Sequence, residues 1–136
     1  MAIQDCVEHV ETIVKANVNV TGTNVYPSEK QMTKLFAQIH EESGRFEGRS
    51  SGWGQSFHSI AVYVLGAKAN MAQTFKQLEG KMEAICTDLL EDATLGGNCD
   101  TFDAVPTYEL VTVNLAGVDY TGYRLMINEI KIQRTF

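Results

Sequence analysis

The sequence predicts a single α+β domain over residues 1–136: an antiparallel β-sheet with two amphipathic helices packed on one face and a long Gly/Ser-rich hairpin loop. Three observations lead to this fold class. Apolar residues recur at helical spacing in two segments, other segments are rich in strand-forming residues, and a tight Gly-containing turn joins the last two of those. A content of 44% hydrophobic and 21% charged residues suits one core of ordinary size.

The first predicted helix spans about residues 2 to 16. Its apolar positions fall on one helical face: Ile3, Cys6, Val7, Val10, Ile13 and Val14. Acidic residues on the other faces and Lys15 near the end suit the helix dipole. The stretch from Asn17 to Tyr26 mixes valines with Gly22 and asparagines, so it predicts either a short edge strand or a loop.

The segment from Ser28 to His40 supports two interpretations. A capping box at Ser28 followed by apolar residues at helical spacing (Met32, Leu35, Phe36 and Ile39) favours a helix. Lys34 to His40 also fits a short strand. The local pattern alone favours the helix.

The segment from Ser43 to Ser56 holds eight Gly or Ser residues in 14 positions, which predicts a long flexible loop. It also carries two arginines and two large aromatic residues: Arg45, Phe46, Arg49 and Trp53. Such residues on a mobile segment are typical of a surface that orders itself on a protein partner. They are therefore the candidate interface residues, and an ordinary solvated loop is the alternative.

An interior strand is predicted from Phe57 to Leu65, because both alternating faces are apolar. A second helix follows over about residues 69 to 91. Its apolar stripe consists of Met71, Phe75, Leu78, Met82, Ile85 and Leu89. Gly80 in its middle indicates a bend or a close neighbour, and the Gly96-Gly97 pair follows its end.

The last two strands are predicted from Val105 to Leu115 and from Val118 to Ile132. The tight turn at Ala116-Gly117 makes them an antiparallel hairpin. In the last strand the apolar alternation shifts by one residue, which indicates a β-bulge near Asn128.

No pattern of catalytic or ligand-binding residues is found, so we expect no enzyme activity, no cofactor and no metal. Cys6, Cys86 and Cys99 are widely spaced and form no CxxC pair, which favours reduced thiols. The three histidines have neither zinc-site spacing nor the flanks of a nucleophile motif: His9, His40 and His58. No glycine-rich phosphate loop is present either.

The charge balance favours a protein partner. A formal net charge of −6 argues against a general nucleic-acid binder, because phosphate contact needs a positive field. The longest apolar run, Ile60 to Leu65, is far shorter than the ~20 residues of a membrane span. The N-terminus lacks a basic leader and an apolar segment, so we expect no secretory signal and a cytosol-like compartment.

The order of these patterns, over roughly residues 2 to 132, resembles the tail terminator or tail completion proteins of tailed bacteriophages. The similarity rests on an N-terminal helix, a strand ending in Gln38-Ile39-His40, a Gly-rich loop, the strand Ser59-Ile60-Ala61-Val62-Tyr63-Val64, a helix and the Leu95-Gly96-Gly97 turn. Tyr108-Glu109-Leu110 and the segment from Leu115 to Arg124 look like the closing hairpin of many members. The family has no catalytic or metal motif.

The resemblance implies a strand at Lys34 to His40, paired across the long loop with Phe57 to Leu65. It also implies a structural protein of the virion tail, assembled in the bacterial cytoplasm into a ring, usually hexameric, at the head-proximal end of the tail tube. Its partners would be its own copies, the major tail tube protein and the head–tail connector or neck protein, with no membrane and no specific nucleic acid. The alternatives are a phage neck protein, such as a head completion or stopper factor, and a small cytosolic ligand-binding domain.

Overall fold

The computed structural model describes residues 3–20, 35–48, 53–68, 71–102, 106–115 and 117–135, without the side chains of residues 53, 134 and 135. Within these ranges the elements are α1 (Ile3–Asn17), β1 (Phe36–Gly48), β2 (Trp53–Ala67), α2 (Met71–Leu78), α3 (Lys81–Glu91), β3 (Thr101–Phe102), β4 (Thr107–Leu115) and β5 (Val118–Thr135). The first predicted helix is confirmed by α1. After it, Val18 is buried, and residues 21–34 lie outside the described ranges.

All strand pairs of the sheet are antiparallel, and β2 lies between β1 and β5, so the predicted interior strand is confirmed. On the side away from β2, the first half of β5 pairs with β4, and a later part of β5 pairs with β3. The β4–β5 hairpin closes at the Leu115–Val118 pair, and Gly117 adopts a φ of 82° in the turn, a left-handed value that favours glycine. The predicted hairpin is therefore confirmed over its described residues.

The main core lies between the sheet and the helices α1 and α3. Each of the four elements contributes a buried stripe: Val7, Val10 and Val14 of α1, Met82, Ile85 and Leu89 of α3, Ile60, Val62 and Val64 of β2, and Leu125 and Ile127 of β5. A smaller cluster of Phe36, Leu65 and Tyr120 uses the opposite pleat of the sheet. The fold is α+β, as predicted.

The Gly/Ser-rich segment is mostly strand, so the long flexible loop predicted from Ser43 to Ser56 is wrong. Residues 43–48 complete β1 and residues 53–56 begin β2, with pairs from Arg45–Phe57 to Gly48–Gly54. Residues 49–52 lie outside the described ranges. Low strand propensity is overridden here because β2 is also paired on its other side with β5, as far as Trp53–Thr135.

The local pattern favours a helix from Met32 to Ile39, and this prediction is wrong over the residues that the structure describes. Residues Phe36 to His40 lie in β1, the strand implied by the resemblance, and residues 28–34 lie outside the described ranges. The helix-like spacing arises because Leu35 to Ile39 are all buried, including Gln38. A strand with both faces covered loses the alternation that distinguishes it from a helix.

The second predicted helix is two helices, α2 and α3, separated by Glu79 and Gly80. Gly80 is the N-cap of α3 with a φ of 73°, so the predicted bend is confirmed. Residues 69 and 70 lie outside the described ranges.

The turn after α3 is tied to α1 by hydrogen bonds. Asp92 Oδ2 lies 2.6 Å from His9 Nε2, and Asp92 Oδ1 accepts the Gly96 backbone N–H at 2.9 Å. Cys6 Sγ donates to the carbonyl oxygen of Asn98 at 3.3 Å. The Gly96 N–H, together with His9, holds the pKa of Asp92 below its ordinary value.

A methyl group at Gly122 should disrupt the sheet. A Cβ there would lie 1.9 Å from the carbonyl oxygen of Val64 on the backbone of β2, which cannot move aside alone. We expect Gly122→Ala to cost about 2–3 kcal/mol of unfolding free energy. The control is Gly48→Ala, which meets nothing within 4 Å. Equal melting temperatures for Gly122→Ala and the wild type would contradict this close packing.

The Asp92 bonds should make stability depend on pH in the acid range. Because the folded state lowers the pKa of Asp92, ionised Asp92 stabilises the fold above the ordinary carboxyl pKa, and this contribution fades as the pH falls through the folded value. Asp92→Asn should therefore melt a few degrees below the wild type at neutral pH, with a difference that shrinks below about pH 4. Exposed Glu91→Gln is the control. A difference independent of pH would rule out this role of Asp92.

Candidate functional site

Two β-bulges lie side by side in the sheet, both at the level of Ser59 in β2. In β5 the pairing passes from Ile60–Ile127 to His58–Ile130, so one extra residue is inserted at Asn128 and Glu129. This confirms the bulge predicted near Asn128. Glu129 has a φ of 56°, a left-handed conformation rare outside glycine and asparagine.

The second bulge, in β1, was not predicted. The pairing passes from Glu41–Ile60 to Ser43–Ser59, which inserts Glu42. Because both neighbours of β2 carry one extra residue at the same level, the side chains beyond the bulges keep a common alternation with β2.

Arg45 is fixed by contacts within the chain. Its Nη1 and Nη2 donate to the two carboxylate oxygens of Glu129, both at 2.9 Å, and its Cζ lies 4.4 Å from the centre of the Phe57 ring. The bidentate bond with Glu129 raises the pKa of Arg45 and lowers that of Glu129. The guanidinium is thus pre-oriented, although half of the side chain is exposed.

Phe46 is the most exposed large hydrophobic side chain of the described residues, at 62%. Its ring meets His58 edge to face, with ring centres 6.4 Å apart. An aromatic ring exposed on the edge strand of a sheet is the kind of group that packs against a partner.

A hydrogen-bonded chain of three side chains lies beneath Phe46. His58, only 5% exposed, is bonded through Nδ1 to Glu41 Oε2 and through Nε2 to Ser56 Oγ at 2.8 Å. Ser56 Oγ also lies 3.4 Å from the carbonyl oxygen of Ile132, to which it donates. The sequence pattern gave no sign of Glu41, because the bulge in β1 decides which of its residues faces His58.

The order serine, histidine, carboxylate is that of a hydrolase triad, in which the serine hydroxyl attacks the substrate. The burial of Ser56 bears directly on whether these three side chains can do so. Ser56 has no exposed surface, and its hydroxyl is bonded to the backbone of β5. A nucleophile must be reached by its substrate, and the Ser56 hydroxyl is not accessible in this geometry. The three hydrogen-bonded side chains instead link β1, β2 and β5 to one another.

A polar cluster on the opposite pleat of the sheet is centred on Arg124. Its Nη2 donates to both carboxylate oxygens of Glu42 at 2.7 Å, its Nε donates to Tyr63 Oη at 3.1 Å, and Glu109 lies 3.5 Å from Nη1. His40 stacks on the Tyr63 ring at 5.9 Å. A cavity of about 170 Å³ adjoins Arg124 and Glu109. The two carboxylates outweigh the single guanidinium and leave these three side chains with a net negative charge, so the cluster offers no positive field to an anion.

A larger groove lies between the α2–α3 bend and β4. It encloses about 430 Å³ and is lined by apolar and charged side chains: Phe75, Lys76, Leu78, Glu79, Met82, Glu83, Tyr108 and Tyr123. Tyr108 and Leu110 of β4 are 46% and 58% exposed. Exposed apolar side chains therefore occur on β1 and on β4, the strands at opposite edges of the sheet.

Of the four predicted interface residues, Arg45 and Phe46 are adjacent in β1, and their side chains point to opposite faces of the strand. Trp53 is the first residue of β2, and its side chain is not described. Arg49 lies outside the described ranges. The sequence pattern singled out Arg45 and Phe46 by residue type, whereas their contacts, Glu129 and His58, depend on pairing between distant segments.

Among the described residues, no group of three or more His, Cys, Asp and Glu side chains is placed to hold a metal ion. No described helix is long and apolar enough to cross a membrane. No model of a known protein family matches the chain, and a search of curated proteins gives no match either.

The Ser56–His58 bond should contribute to stability. We expect Ser56→Ala to lower the unfolding free energy by about 1–2 kcal/mol, because buried His58 Nε2 loses its partner. Ser43→Ala, at an exposed position of β1, is the control and should have little effect. Labelling of Ser56 by a fluorophosphonate in the folded protein would contradict the structural role and favour a nucleophilic one.

Proposed function

We propose that the protein is a structural virion protein that forms a ring of six copies, in the manner of the family it resembles, on the head-proximal end of a phage tail tube. The ring stops addition of tube subunits and offers a surface for head joining. The observation that carries the proposal beyond the resemblance is the exposed Phe46, held on an ordered edge strand beside the fixed Arg45.

The arrangement of the sheet edges supports assembly into a ring. A closed ring with head-to-tail contacts needs two different surfaces on each copy. In the described chain, β1 and β4 each have one strand neighbour, β2 and β5, and both edges carry exposed apolar side chains. Neighbouring copies and the tube are the partners that such surfaces suit, because apolar groups gain most from burial against protein.

The proposed interface comprises Arg45, Phe46, Arg49 and Trp53. Phe46 supplies apolar area, and Arg45 contributes the outer face of a guanidinium whose charge Glu129 already offsets. Desolvating such a neutralised pair costs less than desolvating a lone cation, so Arg45 can be covered by a partner without a carboxylate of its own.

A second candidate function is binding of a small ligand on the opposite pleat, at the cluster of Arg124, Glu42, Glu109 and Tyr63. Convergent polar groups beside a cavity favour it. The small size of the cavity, about 170 Å³, favours the ring instead, because ligand pockets usually reach about 300 Å³ or more. A phage neck protein would share the ring architecture and differ in the partner it caps.

Replacement of Phe46 is the sharpest test of the proposed ring. Phe46→Ala should leave the melting temperature almost unchanged, because the side chain is largely exposed, and should weaken ring formation or tube capping. The measurement is electron microscopy of the purified protein, alone and with tail tubes, scoring rings and tube length. The matched control is Leu90→Ala, an apolar side chain 54% exposed on α3 rather than on a sheet edge.

Normal rings and normal tube lengths with Phe46→Ala would remove Phe46 from the interface. The double change of Arg45 and Arg49 to alanine and the single change Trp53→Ala test the rest of the surface in the same assay. If the wild-type protein shows no ring at high concentration or with tubes, the ring proposal itself fails. Binding to a neck complex but not to tubes would favour the neck protein.

A further inference from the structure

Two of the three cysteines belong to the main core, although they are far apart in the chain. Cys6 lies in α1, and Cys99 lies just before β3. Both residues are buried, with 0% and 3% exposure. The Cys6 thiol donates to the carbonyl oxygen of Asn98 at 3.3 Å, and the Cys99 thiol donates to that of Ala93 at 3.8 Å. Cys86 is the third cysteine and is only half-buried.

A side chain to backbone hydrogen bond brings Cys6 to the peptide next to Cys99. Cys6 Sγ lies 3.3 Å from the carbonyl oxygen of Asn98, which is joined by the peptide bond to Cys99. His9, one turn after Cys6, is bonded to Asp92 at the other end of the same turn segment. The helix and the segment are thus held together on both sides of the two thiols.

We propose that Cys6 and Cys99 form a site of disulfide bonding that joins α1 to the segment before β3. The proposal does not depend on the ring. A disulfide needs Cα atoms about 4.4–6.8 Å apart and side chains that face each other. Cys6 Sγ lies against the Asn98–Cys99 peptide, and both cysteines belong to the main core, so the two side chains start from neighbouring positions.

A small disulfide such as oxidised glutathione is the oxidant. The thiolate of one cysteine attacks it, forms a mixed disulfide and releases one glutathione thiolate. The second cysteine then loses its proton, attacks the sulfur of the first and releases the other glutathione. Two protein thiols and one oxidised glutathione become one protein disulfide and two reduced glutathione molecules.

The contact with Cys6, together with burial, raises the pKa of Cys99, so little thiolate exists in the folded protein at neutral pH. Exchange in the native state is therefore slow. The same burial protects the bond once it has formed, because reductants cannot reach it. Oxidation should occur most readily while the chain folds.

The experiment refolds the unfolded, reduced protein in a mixture of reduced and oxidised glutathione. We expect thiols counted in denaturant to fall from three to one, and the intact mass to fall by about 2 Da, without a glutathione adduct. Peptide mapping should recover Cys6 linked to Cys99. The melting temperature should rise by roughly 5–15 °C, because the bond closes a long loop, and a reductant added to the unfolded chain should reverse the change.

Cys86→Ser is the matched control and should oxidise as the wild type does, leaving no free thiol. Cys99→Ser should show no 2 Da loss and, if it still folds by circular dichroism, no rise in melting temperature. Three remaining thiols in the refolded wild type would overturn the proposal. So would glutathione adducts at Cys6 or Cys99, or dimers linked through Cys86, in place of the internal bond.

Discussion

The alternation of the central strand β2 is the constraint on which the rest of the structure depends. From Ser56 to Val64 every second residue of β2 is buried on the helix-facing side of the sheet. The pairing strands must present matching faces, and each does so only by inserting one residue at the level of Ser59. Without the bulge in β5, Ile130 and Ile132 would turn away from the core that also holds Leu125 and Ile127.

The bulges also determine which polar groups meet. The insertion in β5 places Glu129 where both of its carboxylate oxygens reach Arg45, across the intervening β2. The insertion in β1 leaves Glu41 on the side of His58 and Glu42 on the side of Arg124. Consecutive glutamates thus serve opposite faces of the sheet. The polar contacts on both faces follow from a register set by apolar burial.

The sequence could predict the elements whose burial has a regular period. The apolar stripe of α1, the apolar alternation of the last strands and its shift near Asn128 each arise because one face of the element is buried. The prediction failed where a partner strand overrides local composition, as from Ser43 to Gly48, and where Leu35 to Ile39 are buried on both faces. Of the candidate site, Arg45 and Phe46 were singled out by residue type. Glu129, Glu41 and His58 could not be assigned, because their proximity requires the pairing of β1, β2 and β5.

The ordered state of residues 43–48 changes the energetics of any contact made through β1. A flexible arm must lose backbone entropy when it binds, about 1–2 kcal/mol for each residue fixed. Here that loss has already occurred on folding, and the bond of Arg45 to Glu129 fixes one of the long side chains as well. A partner therefore meets a pre-organised surface, on which the burial of one ring such as Phe46 contributes to affinity without an ordering cost. The same strand carries Glu41, Glu42 and Glu47, and charged side chains along an edge strand oppose unspecific pairing with another strand, even where the edge exposes an apolar group.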